Sequence, residues 1–182
     1  MLREKKGEET VKRLRVQHSF EPVYDEHSEI LILGSFPSVK SREIQFYYGH
    51  PQNRFWKLIA ALTEEETPQT TEEKKALLYR HHIALWDVVQ SCEIIGSSDS
   101  SIRDVTPADL NRILRTSPIR KIFANGDKAF QLYRKYCQES TGRTIERLPS
   151  TSPANAAFSL EKLIQLWREC LFAEEDRKGS LN

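Results

Sequence analysis

The sequence predicts a three-layer α/β/α domain built on a central four-stranded, mainly parallel sheet. Strand-sized apolar runs at 29–33, 83–89, 121–124 and 145–148 carry little polar alternation, the mark of strands buried on both faces. Segments of helical period separate them. Strands that alternate with helices join through right-handed crossovers, which place a parallel sheet between two helical layers.

Taken in order, residues 1–17 are rich in charge with little apolar periodicity and read as an arm. Residues 18–173 read as one domain and 174–182 as a polar tail. The first strand, Ile30-Leu-Ile-Leu, ends at Gly34. Phe55, Leu58, Ile59 and Leu62 then recur at helical spacing behind Asn53, which stands where an N-cap belongs. Thr70 with Glu73 has the spacing of a capping box and opens a helix that runs to His81. The run 83–89 is the second strand. Thr106-Pro107 marks a helix start, with Leu110, Ile113 and Leu114 as its apolar stripe. The third strand, 121–124, is followed after Gly126 by a helix presenting Phe130, Tyr133 and Cys137. The fourth is 145–148, and the last helix carries Leu160, Leu163, Ile164 and Trp167.

The chain has 182 residues, 38% apolar and 29% charged, which is enough to bury a core without metal or disulfides. No apolar run approaches bilayer length, and the charges at the start have no apolar stretch behind them, so a cytoplasmic protein is expected. Cys92, Cys137 and Cys170 are too scattered for a disulfide framework or a metal knuckle, so reduced thiols are expected. His81 and His82 are adjacent in a helix and point apart, so no metal or cofactor is implied. A monomer is expected. A net charge of +1 excludes bulk electrostatic binding of nucleic acid, so any such contact must be local. Lys12, Arg13 and Arg15, or Arg112, Arg115, Arg120 and Lys121, would supply it or would be solvated helix faces.

In parallel sheets the working groups lie beyond the carboxyl ends of the strands. Three segments there, 34–48, 90–104 and 149–155, are rich in Gly, Ser, Pro and polar residues, so the site is expected where they converge. The first reads Gly34-Ser-Phe-Pro-Ser and leads to Phe46-Tyr-Tyr-Gly-His-Pro-Gln-Asn-Arg-Phe-Trp56. The last reads Leu148-Pro-Ser-Thr-Ser-Pro-Ala-Asn-Ala156, and between them lies Gly96-Ser-Ser-Asp-Ser-Ser-Ile102.

These motifs resemble the uracil-DNA glycosylase superfamily, and in particular its branch of DNA-deoxyinosine (hypoxanthine) glycosylases, over residues 18–171. The resemblance implies a DNA repair enzyme that flips a deaminated base out of DNA, hypoxanthine before uracil, and hydrolyses its N-glycosidic bond. Where classical members carry a catalytic Asp or Asn in the first motif this chain has Phe36, which cannot polarise water. The hypoxanthine branch places its essential polar residue in the His-Pro-x-Asn segment, which assigns catalysis to Asn53. An asparagine amide offers an acceptor for water and donors for orientation. Gly34, Ser35, Phe36, Tyr47, Tyr48 and Asp87 are assigned to the base, and Ser150, Thr151, Ser152, Pro153 and Asn155 to the DNA backbone. Several have a plainer role as well: Asn53 and the Ser/Thr run as caps, Tyr47 as a core aromatic, Asp87 as a satisfied strand end, and Ser97, Asp99 and Ser100 as turn residues; Tyr48, in a loop beside Gly49 and Pro51, is less expected as a purely structural tyrosine. Lys40 is the one lysine in these loops and has no precedent as a Schiff base, so a monofunctional enzyme is expected. Two competing functions stay open. A serine hydrolase using Ser35 or Ser150 lacks a Gly-x-Ser-x-Gly elbow. A non-catalytic module for damaged or single-stranded DNA would use the same aromatic loop.

Overall fold

The computed structural model describes residues 12–172. Its centre is a four-stranded, fully parallel sheet of β2 (Ile30–Gly34), β3 (Ile83–Asp87), β6 (Lys121–Asn125) and β7 (Glu146–Leu148), in the order β3-β2-β6-β7. These are the four runs expected to form it. Leu31, Ile32 and Leu33 of β2 and Ala84 and Leu85 of β3 are fully buried, as strands covered on both faces require. From β2 the chain steps outward to β3 through α1 (Val39–Ile44), α2 (Phe55–Thr63) and α3 (Thr71–Arg80). From β6 it steps the other way to β7 through α5 (Asp127–Tyr136) and α6 (Gln138–Thr141). Right-handed crossovers in opposite directions put the two helix sets on opposite faces, the expected three layers. The last helix, α7 (Leu160–Leu171), packs on α2 through Trp167 and Phe55, whose rings meet edge to face at 6.2 Å.

Two local expectations hold in atomic detail, and a third cap, at Ser159, is added by the structure. The α3 capping box is complete: Glu73 N donates to Thr70 Oγ1 at 3.1 Å and Thr70 N donates to Glu73 Oε2 at 3.1 Å. Helix α5 begins after Gly126, whose φ of +99° suits glycine and whose missing side chain makes room for Ser150. Ser159 caps α7 by accepting from Lys162 N.

Other parts differ from expectation. The run 83–89 is two strands, because the chain leaves the parallel sheet after Asp87 and enters a second sheet at Val89. That sheet is antiparallel, in the order β1-β4-β5, from β1 (Leu14–Gln17), β4 (Val89–Ile94) and β5 (Arg103–Pro107). A strand therefore occupies part of the segment read as an arm; the rest of that arm up to residue 11, and residues 173–182, lie outside the described residues. Thr106-Pro107 ends an edge strand rather than opening a helix, a position where a missing N–H is tolerated. The helix itself, α4 (Asn111–Thr116), starts four residues after Pro107 and buries Ile113. The segment 34–48 also contains α1, which the polar sequence concealed. Both basic clusters are largely spent on structure: Arg13 reaches the Ser101 carbonyl, Arg15 pairs with Asp104, Arg112 with Glu21 and Arg120 with Glu29. No helix of the described residues is long and apolar enough to cross a membrane.

Candidate active site

Strand order reverses between β2 and β6, and a cleft of about 320 Å³ opens at that switch point beyond the carboxyl ends of the strands. It gathers the three predicted segments. Gly34, Ser35 and Phe36 come from the end of β2, Tyr47, Tyr48 and Asn53 from the loop before α2, Asp87 from β3, and Ser150, Thr151, Ser152 and Pro153 from the loop after β7. Asn155 lies outside this cleft, in an adjoining groove with Lys128, Arg147 and Phe158.

Asn53 sits at the entry to α2, one residue before the N-cap position at Arg54, and its side chain takes up the first helical N–H: its Oδ1 accepts from Phe55 N at 2.9 Å. The same oxygen accepts from Thr151 Oγ1 at 2.9 Å, and Thr151 Oγ1 in turn accepts from Asn125 Nδ2 at 2.9 Å. This chain fixes the amide's orientation, since only an oxygen can receive both donors. The acceptor expected to hold water is thus occupied. What remains, without a partner among the described residues, is Nδ2, a donor facing the cleft. Thr151, fully buried, ties three loops to that geometry. Thr151→Val is expected to cost about 1–3 kcal/mol of stability, because the Asn125 amide loses an acceptor inside the protein. Urea denaturation of the variant checks this, and an unchanged midpoint would refute it.

The following residue, Arg54, is a clamp that sequence reading did not single out. Its guanidinium donates to the carbonyls of Ser152 at 2.7 Å, Asn155 at 3.0 Å and Phe158. The Pro-Ser loop is thereby held to the start of α2. Ser150 Oγ accepts from Ser152 N at 3.1 Å and Ser152 Oγ from Ala154 N at 3.2 Å, so both hydroxyl protons stay available to donate outward. Asn155 is turned inward, donating to the Ser150 carbonyl at 3.0 Å.

The aromatics divide. Tyr47 is 2% exposed, packs on Phe46 and Phe20, and donates its hydroxyl to the Glu21 carbonyl at 3.0 Å. Tyr48 is half-buried, and its ring is backed by Phe55 at 4.0 Å in a stacked arrangement. It adopts φ +52°, uncommon for a residue with a side chain, and its hydroxyl is buried with no hydrogen bond of normal geometry, although the Asn125 amide lies nearby. Burial and the neighbouring Asp87 raise the Tyr48 pKa far above the ordinary phenol, so it stays neutral. Phe36 is held edge-on to His18 at 6.3 Å, with the Arg42 guanidinium over its ring.

Among the described residues, two carboxylates reach the cleft. Asp87 forms its floor, 4% exposed, with Oδ2 2.9 Å from His18 Nε2. Its Oδ1 presses on Gly34 so closely that a Cβ there would stand 2.3 Å away, which explains glycine at the end of β2. His18 was not foreseen as part of the site; it follows β1 and is delivered by the antiparallel sheet. Asp99, on a 3-10 turn (Asp99–Ser101), accepts from Ser35 Oγ at 2.7 Å. The residue as a whole is exposed, but its carboxylate stands among protein atoms at the cleft mouth, and this desolvation raises its pKa above the ordinary aspartate, opposed by the Ser35 hydrogen bond. Burial raises the Cys92 and Cys137 thiols to about 11, so neither is a nucleophile at neutral pH.

An aromatic-lined cleft at a switch point, with an oriented amide donor and an adjoining groove that carries Lys128 and Arg147, defines an α/β protein suited to a planar ring attached to an anionic backbone. Residues 21–171 match the family model of the Uracil DNA glycosylase superfamily, and the chain belongs to that superfamily. It is 39% identical over 146 residues to the Hypoxanthine DNA glycosylase of Methanosarcina acetivorans, covering 79% of this chain and 91% of that protein. Against the Hypoxanthine DNA glycosylase of Methanosarcina barkeri it is 34% identical over 115 residues, covering 62% of this chain and 73% of that protein. The solution structure of a candidate uracil DNA glycosylase from Methanosarcina acetivorans superposes with a TM-score of 0.69 at 37% identity, covering 82% of this chain and 95% of that one.

Proposed function

We propose that this chain is a monofunctional DNA glycosylase that removes hypoxanthine from deoxyinosine in DNA, leaving an abasic site. The observation that carries the reading is the Asn53 amide at an aromatic cleft: its Oδ1 is fixed by two accepted hydrogen bonds, which leaves Nδ2 without a partner among the described residues. Flipping a nucleotide out of a duplex costs a few kcal/mol, and stacking on Tyr48 and Phe36 returns about 1–3 kcal/mol for the base. As the C1′–N9 bond breaks, negative charge collects on the purine. The Asn53 N–H donors and the neutral Tyr48 phenol are the protein groups suited to that charge, while Asp87 at the floor accepts from a ring N–H such as N1–H of hypoxanthine. The Ser150 and Ser152 hydroxyls hold the flanking phosphates, a contact that positions DNA without reading sequence.

The test is a gel assay of labelled duplexes with deoxyinosine or deoxyuridine, treated with alkali after incubation. Strand scission at deoxyinosine is expected. Scission only at deoxyuridine would move the specificity to uracil, and none at either would refute the enzyme. Among the described residues no lysine lines the base cleft, and Lys40 pairs with Glu43 on α1. Borohydride treatment of the reacting complex is therefore expected to trap no covalent adduct; a trapped adduct would show strand-nicking lyase chemistry.

A further inference from the structure

The bond broken by a glycosylase runs from the base to the sugar, so the groups that act on it must stand where the base pocket meets the backbone groove. The two clefts share five residues: Asp99, Asn125, Ser150, Ser152 and Ala154. Asn125 is an amide, which takes no proton from water, and it is tied to Thr151, its Oδ1 accepting from Thr151 N at 3.0 Å and its Nδ2 donating to Thr151 Oγ1 at 2.9 Å. Ser150 and Ser152 use their oxygens to accept from backbone N–H groups. Asp99 is the one shared residue able to take a proton from water near neutral pH. Asp87 lines the base pocket alone and is paired with His18, and Asn53 has no acceptor to spare.

Resting on the glycosylase reading above, we propose that Asp99 is a second catalytic residue, the carboxylate that positions and deprotonates the water attacking the sugar, while Asn53 serves the departing base. The water oxygen bonds to C1′ and one of its protons passes to Asp99. The C1′–N9 electron pair leaves with the base, which takes up a proton from solvent. Ser35 Oγ holds Asp99 Oδ1 and leaves Oδ2 for the water. The turn that carries Asp99 is preorganised: Val39 N donates to Ser97 Oγ at 2.8 Å, Arg42 to the Gly96 carbonyl at 3.0 Å, and Ile95 N to Ser101 Oγ at 2.8 Å. Such fixing is what a base needs to keep a water in line without reorganisation.

The charged and titratable groups around Asp99 are Lys128 from α5, Asp87 from β3, and the neutral Tyr48 phenol and Cys92 thiol. Burial and Asp87 raise its pKa, while Ser35 and Lys128 hold it down. As a base Asp99 acts only when ionised, so the rate rises with pH through its pKa and then levels. Removing the Ser35 hydroxyl must move that rise to higher pH.

The experiment measures single-turnover release of whichever base the wild-type chain excises, as a function of pH, for wild type, Asp99→Asn and Ser35→Ala, with affinity for a duplex carrying uncleavable 2′-fluoro-deoxyinosine or 2′-fluoro-deoxyuridine to match. Expected for Asp99→Asn is a loss of about 10²–10⁴-fold in rate, little change in affinity, and a residual rate without the acid limb. Expected for Ser35→Ala is the limb displaced upward. A rate for Asp99→Asn within a few-fold of wild type, or a residual rate that keeps the limb, overturns the proposal. If Asp99→Asn fails to fold, an unmoved limb in Ser35→Ala overturns it alone. The wild-type rates on the two lesions test the specificity separately.

Discussion

Asn53→Asp is expected to lower base release by about 10²–10³-fold or more while leaving the protein folded, the effect of removing one donor to a developing anion. The substitution separates the two halves of the amide. A carboxylate in this place still accepts from Phe55 N and Thr151 Oγ1, so the helix start and the tie to the loop after β7 persist. It lacks the N–H donors, and it sets a negative charge where the departing purine also becomes negative. Asn53→Ala should lose a similar factor in rate but also about 1 kcal/mol of stability with the cap. Single-turnover rates beside thermal melts of both variants read this directly. An aspartate variant as fast as the parent would mean that position 53 works by accepting a proton, as its sequence motif alone suggests, and that the amide oxygen rather than Nδ2 faces the cleft.

That reversal of the amide shows where sequence reading stops. Position 53 was legible, because an Asn before the Phe55, Leu58, Ile59, Leu62 stripe is a cap and its surrounding motif marks it as functional. Which end of the amide faces the cleft was not legible. It is decided by Thr151, 98 positions away along the chain, and by Asn125 behind it. Hydrogen bonds of that span leave no local periodicity or spacing. The same holds for Arg54, whose four carbonyl partners lie about a hundred residues downstream.

The central sheet was legible for a physical reason: strands covered on both faces must be apolar throughout, and Ile30 to Leu33 admits few other readings. The second sheet was hidden because its strands are exposed or bulged. β1 shows only Val16 partly buried, and β4 shifts register against β5 twice, which breaks the alternation a half-buried strand would display. The junction at Val88 carries neither Gly nor Pro, so the two strands read as one apolar run. Losing β1 also meant losing His18, since nothing in the neighbouring sequence marks a histidine that is buried against Asp87, 69 positions away along the chain.

His18→Ala should be the most destabilising single change near the site. The two side chains of the His18 and Asp87 pair are 1% and 5% exposed. Deleting the imidazole leaves a buried carboxylate whose other oxygen has no donor among the described residues, and breaking such a pair from one side costs about 3–5 kcal/mol. For a domain of this size that is a fall in melting temperature of about 6–20 °C. The ring also fills space against Phe20 at 4.4 Å and Tyr47 at 6.0 Å, so part of the loss is packing. Asp87→Asn separates the contributions: an amide oxygen still accepts from Nε2, so this variant should stay close to wild type in stability while losing an ionised acceptor at the pocket floor. Thermal melts of both, followed by affinity for an uncleavable deoxyinosine duplex, give the comparison. If His18→Ala melted within a degree or two of the parent, the pair would be holding nothing in place. If it melted early and Asp87→Asn did not, the antiparallel sheet would be acting as the support of the base pocket, with His18 the point at which that support reaches the floor.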